Sequence, residues 1–232
     1  MAKQSKKQRS AHELYDHANT YPLGDALGIL GKFPKAGFDE TVELSFHLGV
    51  DPRQSAQMVR GVVELPKGSG KTVRVVAFTD KPDEAREAGA DEAGMEDLIT
   101  RVQEGWTEFD VAVATPAAMK EVRKVARILG PRGLMPNPKS GTVSDDLTAA
   151  IQSVKSGGRV EFKMDKTANI GVIVGKRSFS PADLEENIKA VFDALSKARP
   201  ENLKGHRYVR SAAISGTMTP GVRLESSAFA HL

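Results

Sequence analysis

Between Pro66-Lys67-Gly68-Ser69-Gly70 and Gly157-Gly158 the chain changes its pattern, and that change constrains the fold more than any other feature. Inside these two glycine linkers, strand-like and helix-like segments alternate. Val73–Phe78 reads as a strand from its apolar, β-branched run, Asp83–Ala88 as a short helix, and Phe109–Ala114 as a second strand. Met95, Leu98, Ile99 and Val102 fall at i, i+3, i+4 and i+7, the spacing of one helix face. Pro116 is placed as a first-turn helix residue, and Met119, Val122, Ala126 and Leu129 carry that helix to Gly130. Asp145 and Asp146 start a further helix through Leu147, Ile151 and Val154. Such alternation builds a small parallel sheet with helices on both faces. Residues 69–158 are therefore read as an inserted, Rossmann-like α/β domain, with linkers near 66–71 and 156–159. Residues 1–68 and 159–232 are left to form one outer domain from both chain ends.

The outer segments carry a different pattern. Phe38–Leu48 alternates, with Val42, Leu44, Phe46 and Leu48 on one face and Thr41, Glu43, Ser45 and His47 on the other. That is a half-buried strand with one polar face. Val62–Leu65 reads as its partner strand. Ala11–Ala18 is a short polar-apolar segment, and Pro22 opens a helix on Leu23, Leu27, Leu30 and Phe33. Gly24, Gly28 and Gly31 weaken that helix, each by about 1 kcal/mol relative to Ala. Val160–Met164 and Asn169–Val174 are strands joined through the turn Asp165–Ala168. Ser180 caps a helix with Pro181 at its first position and Asp183 near the capping-box site. Its apolar stripe is Leu184, Ile188, Val191, Phe192 and Leu195, and Pro200 stops it. Arg207–Ile214 is a last long strand, broken by Ser215–Gly221 before Val222–Leu224. The outer domain is therefore α+β.

Composition excludes several kinds of chemistry. There is no cysteine, hence no disulfide and no thiolate nucleophile or metal site, which fits a cytoplasmic protein. His12, His17, His47, His206 and His231 show no metal-ligand spacing, and neither a zinc-protease motif nor a nucleophile elbow occurs. No catalytic residue, metal or cofactor is expected. No apolar run is long enough to span a bilayer, and basic Met1–Arg9 leads into no apolar stretch, so it reads as a flexible tail or a phosphate-seeking arm. Gly68-Ser69-Gly70-Lys71-Thr72 invites a nucleotide-binding reading. The outer glycine of a phosphate loop is Leu65 here, however, and the residues that follow read as a strand rather than a helix. Of the 33 basic and 30 acidic residues, 12 and 14 fall within 69–158, leaving that segment at −2 and the remainder at +5. A polyanion partner is expected on the outer domain. There Thr41, Glu43 and Ser45 share a polar strand face, Thr217, Met218 and Thr219 sit in a Gly/Pro-bounded break, and Lys163, Lys166, Lys176, Arg177, Lys204, Arg207, Arg210 and Arg223 supply charge. Hydroxyls and exposed backbone suit sugar contacts, and Lys and Arg suit phosphates.

The loop Gly130-Pro131-Arg132-Gly133-Leu134-Met135-Pro136-Asn137-Pro138-Lys139-Ser140-Gly141-Thr142 cannot be helical, because proline lacks a backbone donor and clashes with the preceding turn. The string resembles the signature of a large-subunit ribosomal protein family, L-one, in its bacterial form. Matching blocks extend over the chain beyond the tail: Phe38–Leu44, Leu48–Arg53, Val59-Arg60-Gly61, Ala114-Thr115-Pro116, Asp165-Lys166-Thr167, Val174-Gly175-Lys176 and Thr217-Met218. The resemblance implies two domains, the second inserted into the first and opening about the linkers. It further implies a monomer when free of the ribosome, with large-subunit rRNA, exit-site tRNA, the leader of its own mRNA and other ribosome components as partners. The implied role is to form the mobile stalk near the tRNA exit site, to assist release of deacylated tRNA and to repress translation of its own message.

Carried over by motif, the implied RNA contacts are Phe38, Thr41 and Glu43 on the strand, Lys166 and Thr167 in the turn, and Thr217, Met218 and Thr219 near the end. Secondary basic contacts are Lys35, Lys163, Lys176, Arg210 and Arg223. Core burial is the competing reading for Phe38. Four positions depart from the family pattern: Gly37 where a Lys is usual, Thr219 where a Gly is usual, and Ala168 and Gly171 where a Gly and a His are usual. A Cβ at Thr219 would obstruct close approach or oppose a positive φ. Two other classes compete: a nucleotide-dependent enzyme on 69–158, and a protein-interaction adaptor using the acidic domain.

Overall fold

The computed structural model describes residues 5–138, 141–155, 157–201, 203 and 207–229. Met1–Gln4 of the tail, Lys139 and Ser140 of the proline-glycine loop, Ser156, Lys204, His206 and His231 lie outside the described residues. The chain begins with α1 (Lys6–Glu13), α2 (Leu23–Lys32), β1 (Thr41–Leu48) and β2 (Arg60–Glu64). It continues through β3 (Val75–Phe78), α3 (Pro82–Glu87), β4 (Glu92–Gly94), α4 (Glu96–Gln103), β5 (Val111–Ala114), α5 (Met119–Val122), α6 (Ala126–Leu129) and α7 (Leu147–Lys155). It closes with β6 (Arg159–Lys163), β7 (Asn169–Lys176), α8 (Pro181–Lys197), β8 (Val209–Gly216) and β9 (Val222–Arg223). Two compact units result, Met1–Gly70 with Val160–Leu232, and Lys71–Arg159.

The first unit is built on an antiparallel sheet of order β7-β1-β8-β9. Alternation in β1 buries Val42, Leu44, Phe46 and Leu48 and leaves Glu43 and Ser45 exposed. The buried face packs under α2 and α8, with Phe46 edge-on to Phe192 at 5.9 Å. Ser180 caps α8 by accepting from the Asp183 amide at 3.1 Å, and its hydroxyl donates to the Asp183 carboxylate at 2.6 Å. Val62–Leu65 does not partner β1. Instead β2 pairs with β6 in a separate two-stranded ribbon, because both flanks of β1 are already occupied by β7 and β8. The first strand starts at Thr41, not Phe38, and the last long strand runs on to Gly216. Residues 6–9 of the supposed tail belong to a capped helix, α1, that runs on to Glu13, rather than to a flexible arm.

In the second unit the parallel sheet has the order β4-β3-β5. Its two faces hold separate apolar clusters. Val76 and Phe78 point toward Leu98, Val102, Val122 and Leu129 on one side, and Val75 and Ala77 toward Ala85, Ile151 and Val154 on the other. Helices thus cover both faces, as a fully apolar strand such as β3 requires. Pro116 sits in a turn ahead of α5, and the expected single helix is split into α5 and α6 by a tighter turn at Arg123–Val125. The proline-glycine loop is stitched at both ends. The Gly130 amide donates to Ala126 at 2.8 Å, the Asn137 amide donates to the Thr142 hydroxyl at 2.8 Å, and the Ala114 amide donates to the Thr142 carbonyl at 2.9 Å. Gly133 and Gly141 hold φ values of 72° and 62°, a region that favours glycine.

Candidate nucleic-acid interface

β1 sits centrally with its polar face uncovered, and the register places its neighbours. Glu43 lies between Ile173 and Ser215, Ser45 between Gly171 and Ala213, and His47 between Asn169 and Ser211. The middle of this face is low and small-sided. From Thr41 to His47 it extends for roughly 20 Å at ~3.3 Å per residue.

At one end of the sheet the chain builds a cluster around a buried ion pair. Glu40 is 1% exposed and Arg177 has 6% of its side chain exposed, and they meet at 2.9 Å. Arg177 also donates to the carbonyls of Leu30 at 2.9 Å, of Pro34 at 3.3 Å and of Phe33. Glu40 accepts from the amides of Ala36 at 2.9 Å and Met218 at 3.1 Å. One carboxylate therefore holds the loop before β1 and the turn after β8 together. Burial pushes the Glu40 carboxyl upward, but the Ala36 and Met218 amides and Arg177 outweigh it and hold it below the usual carboxylate value. The turn is closed further by Thr217, whose hydroxyl accepts from the Thr41 amide at 3.0 Å and donates to the Thr41 carbonyl at 3.3 Å. Lys176 reaches across to the Thr41 hydroxyl at 2.9 Å.

Two large apolar side chains stand out of this cluster. Phe38 is 56% exposed and Met218 is 66% exposed. Core burial is thus not the role of Phe38. It sits in the loop ahead of β1 rather than on the strand. Phe38, Thr41, Glu43, Lys176, Thr217 and Met218 are brought together at this end of the sheet, with exposed Lys35 in the same loop. Thr219 is placed differently from the expectation. Its φ is not positive, its side chain is half-buried, and its hydroxyl accepts from the Gly216 amide at 2.7 Å, so it shapes the turn from within. Gly37 has open space where a side chain would project.

Lys166 and Thr167 lie at the opposite end, in the turn that starts β7. Asp165 organises that turn by accepting from the Asn169 amide, the Thr167 hydroxyl and the Thr167 amide, which holds its carboxyl below the usual value. The Asn169 amide oxygen accepts from His47 Nδ1 across the strands at 2.9 Å. The Thr167 hydroxyl is engaged with Asp165, while Lys166 is exposed. Arg210 sits at the irregularity between β1 and β8, and Arg223 pairs with Ala213 on β9. Lys163 belongs to the β2–β6 ribbon and is not part of this sheet. Sequence reasoning missed the Glu40–Arg177 pair, and it missed Ile173, an exposed apolar residue beside Glu43 on an otherwise polar face.

Among the described residues no group of His, Asp and Glu able to hold a metal is found, and no helix is long and apolar enough to cross a membrane. A groove of about 530 Å³ between β2 and α8 is lined by Val63, Phe162, Arg60, Glu64, Asp193 and Lys197 and includes none of the candidate residues. Lys71 of the supposed phosphate loop pairs with Asp110 at 2.5 Å, and no helix follows it.

Comparison with known proteins bears on the whole chain. A family model described as the ribosomal protein L1p/L10e family matches residues 30–220. The chain is 48% identical over 232 residues to the large ribosomal subunit protein uL1 of Bifidobacterium longum strain DJO10A, covering 99% of this chain and 100% of that protein. It is 50% identical over 227 residues to the large ribosomal subunit protein uL1 of Protochlamydia amoebophila, covering 97% of this chain and 95% of that one. Against the protein of the same name from Saccharopolyspora erythraea the identity is 48% over 227 residues, covering 97% and 94%.

Proposed function

Because the chain belongs to the ribosomal protein L1p/L10e family, a structural and not a catalytic family of the large ribosomal subunit, we propose that the outer face of its four-stranded sheet is the surface that binds large-subunit rRNA. The observation that carries this reading is the pair of exposed apolar side chains, Phe38 and Met218, held on two loops by one buried carboxylate. A soluble fold gains nothing from leaving them in water, whereas sugar and base faces of an irregular RNA offer them cover. Thr41, Glu43 and Thr217 supply hydroxyl and carboxylate groups for 2′-hydroxyl contacts between them. Lys176, Lys166, Arg210 and Arg223 supply phosphate contacts at the ends and edge of the face.

In the ribosome this binding builds the mobile stalk near the exit site, where the protein assists release of deacylated tRNA. A leader segment of its own mRNA that mimics the rRNA site competes for the same face, so free protein represses its own translation. Family membership supports these roles, and the single preformed surface supports the competition between the two RNAs.

The test is binding to a stalk rRNA fragment, with a scrambled hairpin as control, across a salt series. The expected result is tight binding to the stalk fragment that survives moderate salt, beside weak and steeply salt-dependent binding to the control. Equal and salt-labile binding to both would remove the specific surface. Competition between the stalk fragment and the leader RNA at one site checks the regulatory part, and simultaneous binding of both would refute it.

A further inference from the structure

We infer that helix α1 is a second contact element for the RNA, a cationic wall that grips phosphates beside the sheet face. The inference rests on the rRNA-binding reading above and extends it to a part of the chain outside the matching blocks.

The helix exists for local reasons. Ser5 accepts from the Gln8 amide at 3.2 Å, and the Gln8 side chain accepts from the Ser5 amide at 3.1 Å, a complete capping box. Eight residues are too few for an isolated helix to persist in water, so docking must hold it. Ala11 and Tyr15 supply that anchor. Both are buried, and the Tyr15 ring lies 5.3 Å from that of Phe33.

Two polar latches then fix where the helix stands. Lys7 donates to the carbonyl of Lys35 at 2.9 Å, in the loop that carries Phe38. The Tyr15 hydroxyl donates to the carbonyl of Gly221 at 3.1 Å, in the segment that follows Met218. The helix is thus tied to both segments whose exposed apolar residues define the proposed interface.

That surface is basic and unneutralised. Lys6, Lys7 and Arg9 are exposed on the helix, and exposed Lys32 and Lys35 follow on α2 and its loop. None of the five has an ion-pair partner among the described residues. No acidic residue stands in the first turn of α1. Cations there run against the helix dipole, which favours acids at that end, and for Lys6 and Arg9 no ion pair among the described residues offsets it. A polyanion would offset it, and the ties of the helix to the segments that carry Phe38 and Met218 make that polyanion the same RNA.

The test uses the full chain with Lys6→Gln and Arg9→Gln combined, leaving the Lys7 latch in place, titrated against the stalk rRNA fragment over a salt series. A second variant, Arg123→Gln with Arg127→Gln, removes the same charge from the other unit. Removing one phosphate-binding cation from an interface lowers the slope of log affinity against log salt by about 0.7–0.9. The helix variant is expected to lose a slope of roughly one and a half to two on that scale, with preference over the scrambled hairpin retained and the thermal midpoint unchanged. The control variant is expected to keep the wild-type slope. An unchanged slope in the helix variant, or an equal loss in both variants, would overturn the helix as a contact element while leaving the sheet face intact. Failure of the wild-type protein to prefer the stalk fragment would overturn the RNA reading itself, and the helix with it. A conservative Lys6→Arg, Arg9→Lys variant should keep the wild-type slope, because charge and not side-chain shape sets it.

Discussion

Glu40 and Arg177 are 137 residues apart in the chain and share a site closed to water. Removing one member of such a pair strands the other as a buried charge, which typically costs about 3–5 kcal/mol. Glu40→Gln is therefore expected to lower the unfolding free energy by an amount in that range, read from urea titration. The pH dependence has a definite sign. The carboxyl of Glu40 titrates lower in the folded state than its ordinary value of 4.5. Its contribution is complete above the unfolded value and is lost as pH falls through the folded one. Stability should thus decline below about pH 4.5, and more steeply in the wild type than in Glu40→Gln. Asp91, Asp110, Asp165 and Asp183 are lowered too, so the difference between the two proteins is the quantity to measure. Phe38 and Met218 present the opposite case. Each is exposed and holds up nothing, so Phe38→Ala or Met218→Ala should leave the melting temperature nearly unchanged. Each should weaken stalk-RNA binding by about 1–3 kcal/mol, the scale of stripping one stacked side chain from a base. Wild-type affinity in both would take these side chains out of the interface.

Among the elements, those with a strong period were legible and their partners were not. The alternation of β1, the stripe of α8 and the strand–helix rhythm of the second unit correctly foretell the fold class, because burial of one face enforces each period. Periodicity names a strand without naming its neighbour, which is why β2 was expected beside β1 and lies beside β6. Glu92–Gly94 is too short to carry any period, and β4 went unseen. Helix α1 has one buried residue in eight, so its only local signals were Ser5 and Gln8 at capping-box spacing. The motif residues of the proposed site are named by the resemblance alone, whereas the carboxylate that ties their loops together depends on partners 137 and 178 residues distant. Ala168 is a further element-scale surprise. It is buried at φ 61°, with its carbonyl accepting from the Leu48 amide at 2.8 Å, so the start of β7 and the end of β1 hang on a left-handed alanine. A β-branched side chain resists that conformation more strongly. Ala168→Val is expected to destabilise by about 2 kcal/mol, measured by the same urea titration, and Ala168→Gly to be tolerated.

For the molecule as a whole, charge and architecture divide the chain in the same way. The unit formed by both chain ends holds its own apolar core and the proposed RNA face, while the segment 69–158 is slightly acidic. Replacing residues 71–159 by a short glycine-rich link should therefore leave a folded protein that keeps most of its affinity for stalk RNA, and residues 71–159 alone should show none. An adaptor role for the acidic unit would need the reverse, with partner capture by 71–159 and no RNA affinity in the remainder. The two cores can also be told apart spectroscopically. Trp106 is the single tryptophan of the chain, packed against Phe109 at 5.3 Å with the Arg101 guanidinium 4.0 Å above its ring. Its emission is thus a built-in reporter of the parallel-sheet unit and is blind to the antiparallel one, whose melting circular dichroism registers along with that of the former. Superimposable curves from the two probes would mean one cooperative transition, and separated curves would give each core its own stability without any label or cut in the chain.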